Sequence, residues 1–118
     1  MPVESQDDLD AVIASRFHAR RVAALRTLIT AEMVEEHRRA PLGPHSDDLQ
    51  RVLNYLGLFG IEGKLITEHD AEAWFVCRVV GFPAVRAERV AGPLDSEAQA
   101  LHEVFRRRLL DVFGLSFP

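Results

Sequence analysis

The stretch Glu36-His37-Arg38-Arg39-Ala40-Pro41-Leu42-Gly43-Pro44-His45-Ser46 decides the fold, because it ends one helix and begins another. Its adjacent arginines are cations of the kind that stabilise a helix C-terminus, and proline cannot continue a helix. Ser46 has a side chain suited to an N-cap, and the two aspartates after it suit the positive first turn. We therefore predict a helix that stops by Ala40, a rigid connector, and a second helix after Ser46.

Upstream of this stretch, from about Gln6, apolar residues recur at steps of three and four, which is the spacing of one helix face. These residues are Leu9, Val12, Ile13, Phe17, Ala24, Leu25, Leu28, Ile29 and Met33. The pattern predicts one long helix, or two helices with a break near residues 18–21.

Downstream, apolar and β-branched residues fill positions 63–67 and 73–80, and the polar residues 68–72 between them are typical of a turn. We predict an antiparallel hairpin, with a short third strand around residues 84–90. Ser96 and Gln99 match the capping box that starts a helix, and Gly114 suits its C-terminal cap. The last helix is therefore expected between Ser96 and Gly114.

Together these elements predict an α+β fold: a long N-terminal helix or helix pair, a second helix, a small antiparallel β-sheet and a C-terminal helix. A chain of 118 residues has the size of one domain. We expect a single domain over residues 1–118, with a helical arm at 1–40 and a compact α+β part at 46–118.

Charge and cysteine content limit the classes of function. The formal charge of -4 gives no global attraction to nucleic acid or to an acidic membrane surface. The single cysteine permits no internal disulfide, and the sequence shows neither a signal peptide nor an apolar run long enough to span a bilayer. These features predict a cytoplasmic protein that binds neither nucleic acid nor membrane.

The residue pattern predicts no catalytic, cofactor-binding or metal site. His102-Glu103 opens like a zinc-binding helix, but the position four residues after the histidine is Arg106, so the second ligand is missing. Cys77 lies within a predicted apolar strand, where a cysteine packs as a small hydrophobe. Consecutive helix residues point about 100° apart, so the members of the run Arg106-Arg107-Arg108 cannot all face one ligand.

Three alternatives stay open at this point. The apolar segment after Gly114 must pack against this domain or against a partner, and the partner is the favoured alternative. The whole protein could instead be a stand-alone regulatory module that binds a small ligand in a pocket lined by Trp74, Tyr55 and His45. A nucleic-acid-binding helical protein is the third and weakest alternative, because the net charge opposes it.

From about residue 35 to residue 111, the chain resembles the small (alpha) subunit family of N,N-dimethylformamidase. The matching motifs, in order, are Glu36-His37 with Pro41-x-Gly43, His45-Ser46, Leu49-x-Arg51-Val52-x-Asn54-Tyr55, Gly63-Lys64-x-Ile66, Trp74 followed by Arg78, and Ser96-Glu97-x-x-Ala100-x-His102-x-Val104-Phe105-x-Arg107-Arg108. The resemblance lies in the order and spacing of these motifs. The chain departs from the family pattern at Leu65, Cys77 and Leu56-Gly57.

The resemblance implies a non-catalytic small subunit that is paired with a large catalytic subunit. In that family, hydrolysis of the amide to formate and dimethylamine is assigned to a mononuclear iron centre in the large subunit, held by tyrosine and glutamate side chains. This chain has one tyrosine, Tyr55, and so does not supply a site that needs two. The resemblance thus implies iron in the large subunit, no cofactor in this chain, and a hetero-oligomer with more than one copy of each chain.

We expect the first helix and the connector from His37 to Ser46 to contact the large subunit, since apolar helix surface beside a rigid loop suits docking. The candidate partner-interface residues are His37, Pro41, His45, Tyr55, Trp74, Arg107 and Phe117.

Overall fold

The computed structural model describes residues 6–58, 64–81 and 83–118. Its helices are α1 (Gln6–Arg26), α2 (Ala31–Arg39), α3 (Asp47–Leu56) and α4 (Glu97–Arg108), and α4 continues into a π-helical turn at Leu109–Phe113. Its strands are β1 (Leu65–Asp70), β2 (Ala73–Val80) and β3 (Arg86–Leu94). The predicted α+β fold is confirmed.

The N-terminal helical segment divides at residues 27–30, and the predicted break at 18–21 is wrong. The Thr27 hydroxyl donates to the Ala24 carbonyl at 2.7 Å, within the turn that ends α1. Thr30 has extended backbone, and its hydroxyl accepts from the Met33 amide at 3.2 Å, which makes it the N-cap of α2. The apolar pattern continues across this break, so periodicity alone did not locate it.

The helix boundaries around the connector lie where the sequence predicts them. α2 ends at Arg39, and the Ser46 hydroxyl accepts from the Leu49 amide at 3.3 Å to cap α3. Leu49 and Val52 of α3 are fully buried. The face of α3 that carries them therefore belongs to the core.

The three strands form an antiparallel meander in the order β1-β2-β3. β1 runs to Asp70, so the turn consists of residues 71–72 alone, and Glu68 pairs with Phe75 within the sheet. Residues 68–70 are therefore strand and not the predicted turn. Side-chain contacts across the sheet hold these polar residues in the strand, since Arg89 of β3 binds Glu68 and Asp70 and His69 stacks on Trp74.

β3 exists, but it runs from Arg86 to Leu94 and not over the predicted residues 84–90. Its register against β2 shifts between Trp74 and Cys77, as at a β-bulge. Gly92 has φ +120°, and a Cβ atom there would lie 2.6 Å from the Phe75 ring and 2.8 Å from the Trp74 carbonyl oxygen. Glycine lets β3 approach β2 this closely and so extends the strand past the predicted end.

The last helix has the predicted caps. The Ser96 hydroxyl accepts from the Gln99 amide at 3.2 Å, while the Gln99 side-chain oxygen accepts from the Asp95 amide at 2.9 Å. Gly114 has φ +68° and closes the π-helical turn. Both cap predictions are confirmed.

Buried side chains form two clusters that α4 joins. The helical cluster contains Leu25, Ile29, Met33, Val34, Leu49, Val52, Tyr55, Leu56, Phe105, Leu109 and Phe113. The sheet cluster contains Leu65, Val76 and Ala100. Ala100 lies on the sheet and Phe105 lies among the helices, so one helix fixes the sheet relative to the connector.

Candidate partner-binding surface

Three histidines that are far apart in sequence meet where α2, the connector and α4 converge. The Nδ1 atoms of His37 and His102 are 3.0 Å apart, and the rings of His37 and His45 stack with their centroids 5.9 Å apart. His37 also stacks on Phe105 at 4.2 Å and is only 4% exposed. The predicted interface residue His37 is therefore an internal support that anchors the connector on α4.

The electrostatic environment keeps this pair uncharged at neutral pH. Burial lowers the pKa of His37 to about 4, and the neighbouring His102 and His45 act in the same direction. Burial also lowers the pKa of His102, with Arg106 contributing to the shift. Because both rings are neutral at pH 7, one Nδ1 donates a hydrogen bond and the other accepts it.

The connector is closed by hydrogen bonds at both ends. The Glu36 carboxylate accepts from the Ser46 amide at 2.6 Å and from the Ser46 hydroxyl at 2.7 Å. These two bonds lower the pKa of Glu36. His45 Nε2 donates to the Ala40 carbonyl oxygen at 3.0 Å. The loop that carries Pro41 is thus held in one shape by contacts within the chain.

An open groove with a volume of about 210 Å³ lies beside this connector. It is lined by His37, Pro41, Leu42, Leu53, Leu56, Leu101, Val104, Phe105 and Arg108. Leu42 is 80% exposed, although it is held on the hydrogen-bonded loop. An exposed leucine on an ordered loop beside an apolar groove is typical of a surface that binds another protein.

Two of the predicted interface residues belong to different clusters, one of them buried and the other partly buried. Tyr55 is buried in the helical cluster, with its ring centroid 6.1 Å from that of Phe113. Trp74 packs against the sheet cluster and stacks on His69 at 4.4 Å. The alternative of a ligand pocket needs Tyr55, Trp74 and His45 together, whereas the structure places them in separate environments.

The three consecutive arginines of α4 bind three different parts of the chain, as their spacing predicts. Arg107 donates to the Val90 carbonyl oxygen at 3.0 Å and also pairs with Glu103. Arg108 donates to the carbonyl oxygen of Leu65 at 3.3 Å. The predicted interface residue Arg107 thus fastens α4 to β3.

The C-terminal tail docks on this chain. Leu115 and Phe117 pack against the helical cluster, and the Phe117 carbonyl oxygen accepts from Arg106 Nε at 3.1 Å. These contacts support the first alternative, in which the tail docks on this domain. Phe117 remains half-buried, so contact between its exposed part and a partner stays a prediction.

The exposed face of α1 is a feature that periodicity did not separate from the core. Leu9, Val12, Ile13 and Phe17 are exposed, while Leu25 is buried. Leu25 follows Phe17 by eight positions, and each residue advances about 100° around a helix, so Leu25 lies about 80° away from Phe17 and about 160° away from Leu9. A helical projection of residues 6–26 separates the exposed apolar residues from Leu25, which the spacing in sequence does not.

No metal site is apparent among the residues that the structure describes. In the ranges 6–58, 64–81 and 83–118, no three histidine, cysteine, aspartate or glutamate residues are grouped to hold an ion. Cys77 is buried, and burial followed by the nearby Glu68 raises the pKa of its thiol. Over the same ranges, no helix is long and apolar enough to cross a membrane.

Comparison with known proteins adds one finding. The family model described as N,N-dimethylformamidase alpha subunit matches residues 12–116 of the chain. The match includes the connector, the groove and both histidines of the Nδ1 pair. A search of curated proteins finds no match.

Proposed function

The chain belongs to the N,N-dimethylformamidase alpha subunit family, and we propose that it is the non-catalytic accessory subunit of an iron-dependent amide hydrolase whose active site lies in a separate large subunit. As an alpha subunit, it is one component of an enzyme with several subunits. The proposed reaction converts a small linear amide such as N,N-dimethylformamide to formate and dimethylamine. The proposal includes a cytoplasmic hetero-oligomer with more than one copy of each chain.

Polar side chains at the junction of α2, α4 and the sheet already bind other groups of this chain, which supports an accessory role. His37 and His102 bind each other, Glu36 binds Ser46, and Arg107 binds Val90 and Glu103. These groups stabilise the junction between α2, α4 and the sheet. A catalytic acid or base needs instead to face a site where a reacting atom can sit.

This chain does not supply the two tyrosines of the iron site that the resemblance implies. Tyr55 is its one tyrosine, and the side chain is buried among apolar residues of the helical cluster. Together with the lack of a metal-binding group in the described ranges, this supports the placement of iron in the large subunit. We therefore assign no chemical step to residues of this chain.

The exposed Leu42 beside the apolar groove is the observation that carries the proposal. The loop that presents it is closed by the Glu36–Ser46 and His45–Ala40 hydrogen bonds. A surface that is ordered before binding loses little conformational entropy when a partner covers it. We expect the large subunit to cover Leu42 and to insert an apolar side chain between Pro41 and Leu101.

The test is formate release from N,N-dimethylformamide and related small amides. The assay compares this chain alone, the large subunit alone, and both chains co-expressed in iron-replete medium. Activity in the co-expressed sample only is the expected result. Activity of this chain alone would refute the accessory role, and full activity of the large subunit alone would show that the accessory subunit is dispensable.

A pair of variants tests the docking surface. Leu42→Glu introduces a charge into the proposed interface, and we expect loss of co-purification and of formate release because an unpaired charge cannot be buried there. Val85→Glu is the matched control, since Val85 is also an exposed apolar residue but lies in the loop before β3. Equal effects of the two substitutions would remove Leu42 from the interface.

A further inference from the structure

Arg108 brings a positive charge into the groove beside the connector. The other residues that line the groove are apolar, apart from His37, which is neutral at pH 7 because burial lowers its pKa. The Arg108 side chain is partly buried, and burial lowers the pKa of its guanidinium as well. Since an arginine stays protonated at neutral pH, the groove holds one cation among apolar side chains.

Arg108 differs from its two neighbours in the arginine run, because no carboxylate among the described side chains pairs with it. Arg106 Nη1 lies 3.2 Å from the Glu103 carboxylate, and Arg107 Nε lies 3.0 Å from it. Within the described residues, Arg108 makes one long hydrogen bond, from Nη2 to the Leu65 carbonyl oxygen at 3.3 Å. A guanidinium has several N–H donors, so most of those of Arg108 are available to another group.

The free donors of Arg108 are in contact with water in the isolated chain. No buried nitrogen or oxygen atom of a described side chain lacks a hydrogen-bond partner, so the donors without a partner are accessible. A large subunit that covers Leu42 and fills the groove would displace this water. Burial of a charge without a partner opposes binding, whereas a carboxylate can accept two parallel hydrogen bonds from a guanidinium.

We propose that the large subunit places an aspartate or glutamate side chain against the Arg108 guanidinium, next to the apolar side chain that enters the groove. The inference rests on the proposed function and names the chemistry of the partner segment. Charge complementarity selects this chemistry, because an entirely apolar segment would leave the guanidinium buried and unpaired, and a basic segment would repel it.

The acidic contact and the apolar contact lie on different elements of this chain. Arg108 belongs to α4 and is bonded to Leu65 of β1, whereas Pro41 and Leu42 belong to the connector. A segment that makes both contacts therefore touches the connector and α4 at once. The apolar contact supplies buried area, and the directional ion pair fixes the orientation of the segment.

Neutralisation of Arg108 distinguishes an acidic from an apolar occupant, because the two occupants predict effects of opposite sign. Arg108→Met removes the charge and keeps an unbranched side chain. We expect the dissociation constant for the large subunit to rise at least about thirtyfold, since the carboxylate opposite is left buried and unpaired. Arg51→Met is the matched control, because Arg51 is exposed on α3. Unchanged or tighter binding of Arg108→Met would overturn the proposal.

Zero-length cross-linking locates the carboxylate in the co-expressed complex. Lys64 is the only lysine of the chain, so Arg108→Lys adds one amine at the proposed contact and keeps the positive charge. We expect a carbodiimide to join this amine as an amide to an aspartate or glutamate of the large subunit, with the linked peptides identified by mass spectrometry. Arg51→Lys is the control and should give no such link.

The cross-link decides the matter if Arg108→Met lowers the stability of the free chain. Absence of a link to the large subunit would overturn the proposal. A link only to a carboxylate of this chain would also overturn it, and Glu62, which lies outside the described residues, is included in that search.

Failure of this inference and failure of the proposed docking surface give different results. Leu42→Glu tests whether the large subunit covers the groove at all. Weaker binding of Leu42→Glu, combined with unchanged binding of Arg108→Met, would refute the acidic contact and leave the docking surface in place. Unchanged binding of both variants would refute the two together, and the formate assay on the co-expressed chains would still test the accessory role.

Discussion

His37 and His102 lie with their Nδ1 atoms 3.0 Å apart, although 65 positions separate them in the chain. One of the two atoms must accept the hydrogen bond, so the two rings cannot both be protonated while this contact persists. The contact joins the end of α2 to the middle of α4. Protonation of the pair therefore opposes the packing that holds the connector in place.

The free energy of unfolding should fall between pH 6.5 and pH 4. The pKa of His37 is about 4 in the folded chain, against the ordinary value of 6.5. In this interval the unfolded chain binds a proton that the folded chain does not, so stability decreases by about 1.4 kcal/mol per pH unit as pH falls, or about 3 kcal/mol in all. His102 acts in the same direction, because its pKa is also lowered. Chemical denaturation at several pH values measures this slope.

Protonation of carboxylates also changes the free energy of unfolding in acid, so a variant is needed to isolate the contribution of His37. His37→Gln removes the buried base, and we expect a flatter pH profile between 6.5 and 4 even if the variant is less stable at pH 7. His18→Gln is the control, since His18 is exposed on α1. Identical pH profiles for wild type and His37→Gln would show that the buried pair does not control acid stability.

Local signals in the sequence predicted most of the element boundaries. Ser46, Ser96 and Gly114 act as caps through atoms only a few residues away, so their roles can be read from the chain itself. The break at Thr30 was missed because the apolar pattern crosses it. β3 extends past its predicted end because Gly92 permits a close approach to β2, which is a tertiary effect.

The surface features were harder to predict because they depend on contacts across the chain. The sequence places His37 and Pro41 in a connector, but it does not reveal that His102 supports them or that Leu42 stands over a groove. Net charge and residue spacing likewise gave no sign that the C-terminal tail binds Arg106. Whether the seven candidate interface residues contact a partner stays a prediction.

Loss of the Glu36 carboxylate should loosen the connector. Glu36→Ala removes two hydrogen bonds to Ser46, which are charge-assisted but partly exposed, so we expect a loss of about 1 kcal/mol in unfolding free energy. Glu32→Ala in the same helix is the control, because Glu32 is exposed and lies in the first turn of α2. A double-mutant cycle with Ser46→Ala should show coupling, whereas additive effects would mean that the two residues act independently.

The C-terminal tail should contribute to the stability of the isolated chain. Phe117→Ala removes an aromatic ring that packs half-buried on the helical cluster, and we expect a loss of about 1–2 kcal/mol. Ser116→Ala, at an exposed neighbouring position, is the control. Thermal unfolding of the full chain gives the comparison. A Phe117→Ala variant with unchanged stability but weaker binding to the large subunit would return the tail to the partner interface.

Cys77 should resist alkylation while the chain is folded. Its side chain is fully buried, its Sγ lies 3.7 Å from the Glu68 carboxylate, and both conditions raise the pKa of the thiol and so reduce the thiolate that reacts. Because reaction requires opening of the sheet, we expect iodoacetamide to label Cys77 at pH 8 at least about a hundredfold more slowly in buffer than in denaturant. Val85→Cys supplies an exposed thiol in the same chain and should be labelled rapidly in both conditions. If native Cys77 were alkylated as fast as the thiol at position 85, the cysteine would be accessible in the folded chain. It would then again be a candidate reactive group.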